Sequence, residues 1–464
     1  MLKIPAELKV LSKIFAEHGK SLYIVGGFVR DSYLGLSSLL RDDIDICSNV
    51  KPKELVKMLD GSDFKVSPIN EKLGVMEILG KRRYEYATFR REIYEDESHI
   101  PDSVEFINSL EEDARRRDFK INAIYYDIEK SEYVDPVGGI ADLREKQITT
   151  VKVPKIVFND DPERILRFIR FACSLGFDIP EEEFYYAKQN SYKIQFISKT
   201  RLRNEFERLL TSDQVYPNLL YTKDAHFRAM ILLGELDVWK YILPAVDHIM
   251  HSNLTDKKGE RIYDHILNSL KNASPKIRLA VLLHDAAKVR TMEKEHNFFG
   301  SKEFVPVIVD TNLGPYGLGY SKDVISRVTR TILGYDYNNH CMATKNAVKK
   351  FILKNYDIIE NIIEIKAVVK NESKPVIKKV RSGDILRKTY NEMLKEHAPF
   401  DRRDLNIRGD DIIKNVPNIK LENIDTLIEN ILERVALDPK KNNKEDLLLV
   451  MHKVINSNRD YYLD

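Results

Sequence analysis

The stretch IVGGFVRDSYLGLSSLLRDDIDIC, residues 24–47, places two glycines at the end of an apolar run, then Arg30 and Asp31, and later Asp43 and Asp45 alternating with isoleucine. Residues two apart in a strand project from one face, so Asp43 and Asp45 present two carboxylates side by side while Ile44 and Ile46 turn to a core. Close carboxylates repel unless they share a proton or a cation. Hard oxygen ligands of this kind suit Mg²⁺, which takes one or two carboxylates together with substrate phosphates. A third acid on a neighbouring strand would complete a site for two ions about 3.5–4 Å apart. Glu85, in YEYATFR, is the candidate. Gly26 and Gly27 let the backbone come close to a ligand, and Arg30 is a cation that grips phosphate in bidentate fashion. For the two aspartates alone, a solvated strand edge is the plainer account. Together with the glycines and the arginine, they describe a nucleoside triphosphate site.

These residues need elements to hold them. SLYIVGG, DDIDIC, VMEILG and YEYATFR read as strands, with EKLG as a link, and VEFINSL and AIYYDIEKSEYVDP continue in that style. DPVGGIADL carries Pro and paired Gly, a turn that closes the first module. From Asp160 the pattern becomes helical. Asp161 stands at an N-cap position with Pro162 at the first helical position, and Ile165, Ile169 and Ala172 fall on one apolar face. Helical periods follow in RLRNEFERLL, FRAMILLGEL, HILNSL, IRLAVLLHDAAKV and NAVKKFILKNYDIIENIIEIKAVV, and again from about Val380. The fold class expected is α+β: a mixed-sheet head followed by an all-α remainder.

A chain of 464 residues with 43% hydrophobic and 31% charged residues is long enough for several cores. Nothing in it approaches the roughly 20 apolar residues of a membrane span. The start MLKIPAELKVLSKIF reads as an amphipathic helix rather than a signal peptide, and the three scattered cysteines form neither a disulfide framework nor a zinc motif. The cytoplasm is therefore the expected compartment. The net charge of +2 does not decide for nucleic acid. Basic residues gather at Arg115, Arg116 and Arg117, at Arg164, Arg167 and Arg170, and from Lys345 to Arg381. Such runs fit a solvated helix face or an RNA track.

With these motifs in view the chain resembles the class II tRNA nucleotidyltransferase and bacterial poly(A) polymerase family, a branch of the polymerase β-like nucleotidyltransferases. GGFVRD followed by DDIDI resembles its motif A. RRDFKINA, DPVGGIADL and DDPERILRFIRF follow in the family's order, and KTRLRNEFERLL, LAVLLHDAAK and LNIRGDDII extend the likeness over nearly the whole chain.

The resemblance implies that Asp43 and Asp45 bind the metals with Glu85 as third carboxylate. It implies that Gly26, Gly27, Arg30 and Asp31 shape the triphosphate site, and that Arg117, Asp118 and Asn122 contact the sugar. Asp161 and Arg164 would read the Watson–Crick edge of the incoming base. They lie three residues apart on one helix face, and a plain N-cap and an intrahelical ion pair are the alternative account of them. Arg167 and Arg170, on the same helix, join the nucleotide-binding set. The implied activity is template-independent addition of C, C and A to the 3′ end of tRNA from CTP and ATP, with Mg²⁺ as cofactor and pyrophosphate released. Poly(A) polymerase, partial CC- or A-addition, and an RNA-binding protein with HD phosphohydrolase activity are the alternatives. The implied domains are a head over 1–145, a neck over 146–215, a body over 216–375 and an RNA-binding tail over 376–464.

The sequence departs from the family in three places, the first being that the family's EDxxR motif opens here on Asp160 rather than Glu. The segment RREIYEDESHIPDSV resembles YxDxRHPxxV but lacks the arginine before His99 and has an extra residue before Pro101; the family's loop there bears on the switch from C to A. In the HD-like region, His265, His284 and Asp285 match the first positions, while Ser301 and Tyr335 stand where further histidines are expected. That region reads as mostly structural, and His296 and His340 as ordinary loop residues.

Overall fold

The structure is a computed structural model that describes residues 2–36, 44–93, 103–255, 259–295, 301–336, 344–369 and 382–463. Asp43, most of the segment around His99, His296, His340 and the end of the Lys-rich stretch lie outside the described residues. The chain forms two compact units, Met1–His251 with Tyr316–Gly319, and Ser252–Pro315 with Tyr320–Asp464.

The first unit is built on a mixed sheet. In chain order its strands are β1 (Tyr23–Val25), β2 (Asp45–Ser48), β3 (Lys65–Asn70), β4 (Val75–Leu79), β5 (Arg83–Thr88), β6 (Arg90–Ile93), β7 (Ser103–Phe106), β8 (Tyr125–Asp127) and β9 (Glu132–Val134). Seven of them form one sheet in the order β3-β4-β5-β2-β1-β8-β9, and β6 pairs with β7 alone. Every neighbour is antiparallel except β2 and β5, which run parallel. The central strands are short and apolar: Ile24, Val25, Ile46 and Cys47 are all buried. Val25, Cys47, Phe89, Tyr125 and Val157 share one core cluster, which seats the ends of β1 and β2 firmly.

The strands expected from the sequence are present, and two more appear. β3 holds Pro68 and is mostly exposed, so it shows no apolar alternation. It is an edge strand, where a proline costs no interior ladder bond. β6 is the charged run RREI, whose half-buried residues are Arg90 and Glu92 rather than apolar ones.

Helix Glu163–Leu175 follows the sheet, burying Ile165, Leu166, Phe168, Ile169 and Ala172. The Asp161 carboxylate accepts from Glu163 N at 3.0 Å, as an N-cap does, and Pro162 has helical backbone angles. Phe119 stacks on Phe168 at 5.8 Å between ring centres, and this fixes the helix against the segment that carries Asp118.

The second unit is helical. The period through IRLAVLLHDAAKV divides into helices Arg278–Leu283 and Ala286–Glu295, with His284 and Asp285 at the break. The long period after Lys345 divides into Lys345–Lys354 and Ile359–Val368, where the Asn355 side chain turns back to donate to Phe351 O at 2.9 Å. Among the described residues no helix is long and apolar enough to cross a membrane.

Candidate active site

A cleft of about 510 Å³ opens in the first unit. It is lined by Gly26, Gly27, Arg30 and Asp45 at the ends of β1 and β2, by Arg116–Asp118 and Asn122, and by Asp161, Arg164 and Arg167 at the start of the helix. The sequence-predicted residues on these segments therefore meet in one place. Asp31, Glu85 and Arg170 are not on its wall.

Gly26 has φ +82° and ψ −144°, a backbone conformation that only glycine adopts without strain. A Cβ there would also lie 3.3 Å from Asp45 Oδ2, so the glycine leaves the carboxylate its space. Asp45 is exposed at the start of β2 and pairs in register with Val25 on one side and Glu85 on the other. Register partners on adjacent strands share a face, so Glu85 stands beside Asp45 at the sheet's rim. Two exposed carboxylates abreast, one at the mouth of a cleft, are a donor set that suits a hard divalent cation.

Arg30 is 5% exposed and its donors are engaged within the protein. Nε donates to Asp31 Oδ1 at 2.8 Å, Nη1 to Asn122 Oδ1 at 2.6 Å and Nη2 to the Tyr216 hydroxyl at 3.1 Å. Asp31 thus holds Arg30 from behind, and it also accepts from Tyr216 at 2.8 Å. Tyr216 was not legible in the sequence, because it lies far along the chain in no recognisable motif.

Asp118 is buried on the cleft wall and held by protein donors on both carboxylate oxygens. Both Nε and Nη2 of Arg167 donate to its Oδ2, at 2.8 and 2.6 Å, while Oδ1 accepts from Phe119 N at 2.8 Å and from Asn122 Nδ2 at 3.1 Å. Burial pushes the carboxyl up, yet the Arg167 cation and these donors prevail and hold it at about 2. Arg167 is raised by the same partner. Arg117 is anchored by Asp113 at 3.3 Å and by the Tyr125 hydroxyl at 3.1 Å. Asp113, fully buried, also takes Arg116 at 2.7 Å and Tyr125 at 2.7 Å and is held at about 2. It stands three and four residues before Arg116 and Arg117, a helical spacing that points to it.

Arg164 is 7% exposed. Its Nη2 donates to Arg116 O at 3.0 Å and lies 4.0 Å from Glu92 Oε2, while its buried Nη1 has no hydrogen-bond partner among the described residues. Glu92, on β6, gathers Arg90 at 2.8 Å and Arg116 at 3.4 Å on the same wall. Asp161 is paired with Arg201 at 3.2 Å, and Arg201 also meets Glu163. Arg170 turns away from the cleft to Glu205 at 2.8 Å, and burial lowers it to about 10. Glu92 and Arg201 were missed because the cleft residues they meet, Arg116 and Arg164 for Glu92 and Asp161 and Glu163 for Arg201, lie on distant segments.

In the second unit His265, His284 and Asp285 bring their ligand atoms within 4.8 Å of one another. Nδ1 of His284 is 2.7 Å from Val281 O, and its Nε2 is 3.3 Å from Asp285 Oδ2. The Lys288 ammonium donates to Asp285 Oδ1 at 2.6 Å and lies over the Tyr335 ring at 5.0 Å. A protein cation thus already sits on the carboxylate, and Tyr335 packs edge-on against His284 at 5.4 Å.

The poly A polymerase head domain family matches residues 22–149. The CCA-adding enzyme of Lactococcus lactis subsp. cremoris (strain SK11) is 32% identical over 291 residues, covering 60% of this chain and 68% of that enzyme. The chain belongs to the class II CCA-adding nucleotidyltransferases. The CCA-adding enzyme of Lactococcus lactis subsp. lactis is 28% identical over 401 residues, 80% of this chain and 96% of its own. The structure of the Bacillus stearothermophilus CCA-adding enzyme in complex with CTP superposes with a TM-score of 0.66 at 21% identity over 98% of each chain, a likeness of fold. Within this CCA-adding fold, the cleft residues from Gly26 to Asn122 fall inside the matched head segment. Asp161, Arg164, Arg167 and Arg201 lie beyond it.

Proposed function

We propose that this chain adds C, C and A in turn to the 3′ end of tRNA, drawing on CTP and ATP and releasing pyrophosphate without a nucleic-acid template. Family membership supports the reading, and one observation carries its chemistry. Arg164 lines the cleft with a buried guanidinium nitrogen that no described protein acceptor satisfies. A buried unmade hydrogen bond is costly, so the nitrogen is satisfied when a ligand brings an acceptor. A pyrimidine or purine edge supplies one, and the Asp161 carboxylate three residues away accepts from the exocyclic amino group of cytosine or adenine.

Asp45 and Glu85, with Asp43 of the same DxD, are the residues that would hold Mg²⁺. When bound, Mg²⁺ neutralises charge on the triphosphate and favours the ionised 3′-hydroxyl. The chain's own residues position the nucleotide. Gly26 and Gly27 leave room for phosphate oxygens beside Asp45. Arg117, braced by Asp113 and Tyr125, keeps a fixed positive charge on the wall. Asp118 and Asn122, locked by Arg167 and Arg30, offer fixed polar groups to the ribose. We assign the head to 1–145, the neck to 146–215, the body to 216–375, and tRNA binding to the tail over 376–464.

The test is a tRNA transcript ending before CCA, incubated with Mg²⁺ and CTP, ATP or both, with product lengths read on a sequencing gel. Addition of two Cs and one A, then a stop, is the expected result. Long A tracts on unrelated RNA would replace this reading with poly(A) polymerase, and two Cs alone with CC addition.

A further inference from the structure

Arg30 reaches the cleft through a relay that begins outside the head. Tyr216 lies between helices Lys199–Leu210 and Ala225–Glu235, and is 4% exposed. Its hydroxyl accepts from Arg30 Nη2 at 3.1 Å and donates to Asp31 Oδ1 at 2.8 Å. One hydroxyl therefore braces both members of the Arg30–Asp31 pair. Burial pushes Tyr216 up to about 12, so it remains a neutral donor throughout the working range of an enzyme.

What Arg30 does with this support is visible on its other side. Its Nη1 donates to Asn122 Oδ1 at 2.6 Å, and Asn122 Nδ2 donates to Asp118 Oδ1 at 3.1 Å. The amide of Asn122 is thereby held in one of its two orientations, its oxygen against a cation and its nitrogen against an anion. The Phe171 ring lies under the Arg30 guanidinium at 5.1 Å and confines it further. An amide presented one way round offers a sugar hydroxyl a defined partner, whereas an amide free to turn over does not.

We propose that Tyr216 is a positioning residue for ribose selection, holding Arg30 so that Asn122 faces the sugar in a single orientation. The inference rests on the assignment of Asp118 and Asn122 to the sugar of the incoming nucleotide. It extends ribose selection to a residue outside the matched head segment of 22–149. Loss of the hydroxyl removes one acceptor from Arg30 Nη2 and one donor from Asp31, leaving the Arg30–Asp31 pair without its brace. The guanidinium is then held by Asp31 and Asn122 alone, so the donor on the Asn122 oxygen is less firmly placed and the amide less strictly oriented.

The experiment uses the full chain and Tyr216→Phe, which keeps the ring and removes only the hydroxyl. Single-nucleotide addition to a tRNA transcript ending before CCA is measured with CTP and with dCTP, and the ratio of the two kcat/KM values is compared. That ratio is independent of the fraction of active enzyme, so a loss of folded protein does not imitate the effect, and a thermal melt is recorded alongside. The expected result is a CTP:dCTP preference reduced about tenfold in Tyr216→Phe, the scale of one hydrogen bond to a charged group, seen mainly as a raised KM for CTP. A wild type that discriminates beside a variant that discriminates equally well overturns this inference and leaves the sugar assignment standing. A wild type that uses CTP and dCTP alike overturns the sugar assignment and this inference with it.

Discussion

Asp45 and Glu85 are register partners on the parallel strands β2 and β5, side by side at the rim of the sheet. Asp45 also borders the glycine turn, whereas Glu85 does not line the cleft. The two carboxylates are therefore unequal. Asp45→Asn is expected to abolish nucleotide addition. Glu85→Gln should lower it by about 10- to 100-fold, the scale seen when a supporting metal partner is lost, with partial recovery as Mg²⁺ is raised. A titration of addition rate against Mg²⁺ for both variants checks this. Equal and unrecoverable losses would make Glu85 a ligand of the same rank as Asp45.

Arg164→Lys keeps a positive charge but cannot place a planar fork against a base edge. Addition of C should fall by about 100-fold in kcat/KM, comparable to losing one preorganised donor, while affinity for the tRNA primer stays within twofold or so of wild type. Single-turnover kinetics with a gel-shift control separates the two effects. A variant that loses primer binding instead would remove Arg164 from base recognition.

Arg167 neutralises a buried carboxylate, and breaking such a pair from one side leaves the other charge stranded. Arg167→Gln should destabilise the first unit by about 3 kcal/mol, read by urea unfolding followed at a probe within that unit. Without the Arg167 cation the Asp118 carboxylate is held down less, so the variant should unfold more readily than wild type throughout the range where Asp118 is ionised. An unchanged urea midpoint would show that solvent, not Arg167, carries that charge.

Glu183 is buried with Oε1 taking Thr150 N at 2.9 Å and Thr150 Oγ1 at 3.1 Å, while its Oε2 has no partner among the described residues. Burial raises the carboxyl to about 7, above its usual 4.5. The folded state therefore binds the proton more tightly than the unfolded state between these values. Stability from this group is fully present below about 4.5 and declines as pH rises through about 7. Asp113 and Asp118 act oppositely: their contribution is present above the usual 3.8 and is lost as pH falls through about 2. Glu183→Gln should flatten the decline in melting temperature from pH 5 to 8 and leave the acid limb untouched.

Lys288 stands on Asp285 where an ion would otherwise neutralise it. Full-length wild type is expected to hold no stoichiometric Ni²⁺ or Mn²⁺ at His265, His284 and Asp285. Lys288→Met should create a site for one ion there, measured by equilibrium dialysis with metal analysis. Asp285→Asn in the same background is the control that must abolish it.

Much of the head was legible because its signals are local. Two aspartates alternating with isoleucine, a glycine pair ending an apolar run and an Asp–Arg spacing of three each encode a face or a turn within a few residues. β3 and β6 were not, since an exposed edge strand with a proline and a charged strand paired outside the main sheet carry no apolar alternation. Arg30 shows the same limit in the site itself. As a residue type it suits phosphate, yet its neighbours in space commit its donors to Asp31, Asn122 and Tyr216. Arg170 likewise follows the helical spacing of Arg164 and Arg167, and only packing sends it to Glu205.

The sequence by itself determined which chemistries are available and their order along the chain: a carboxylate pair, a glycine turn, a basic RRD segment and a helix opening on Asp161 and Arg164. Periodicity records burial of one face, so it also determined the strands and helices that carry them. The tertiary structure alone decided that β5 lies beside β2 with Glu85 opposite Asp45, and which acid each buried arginine meets. A strand's pattern says that it pairs, not with which distant strand. A buried charge takes whichever counter-charge the fold desolvates with it, as Arg30 takes Asp31, with the neutral Tyr216 hydroxyl bridging the two.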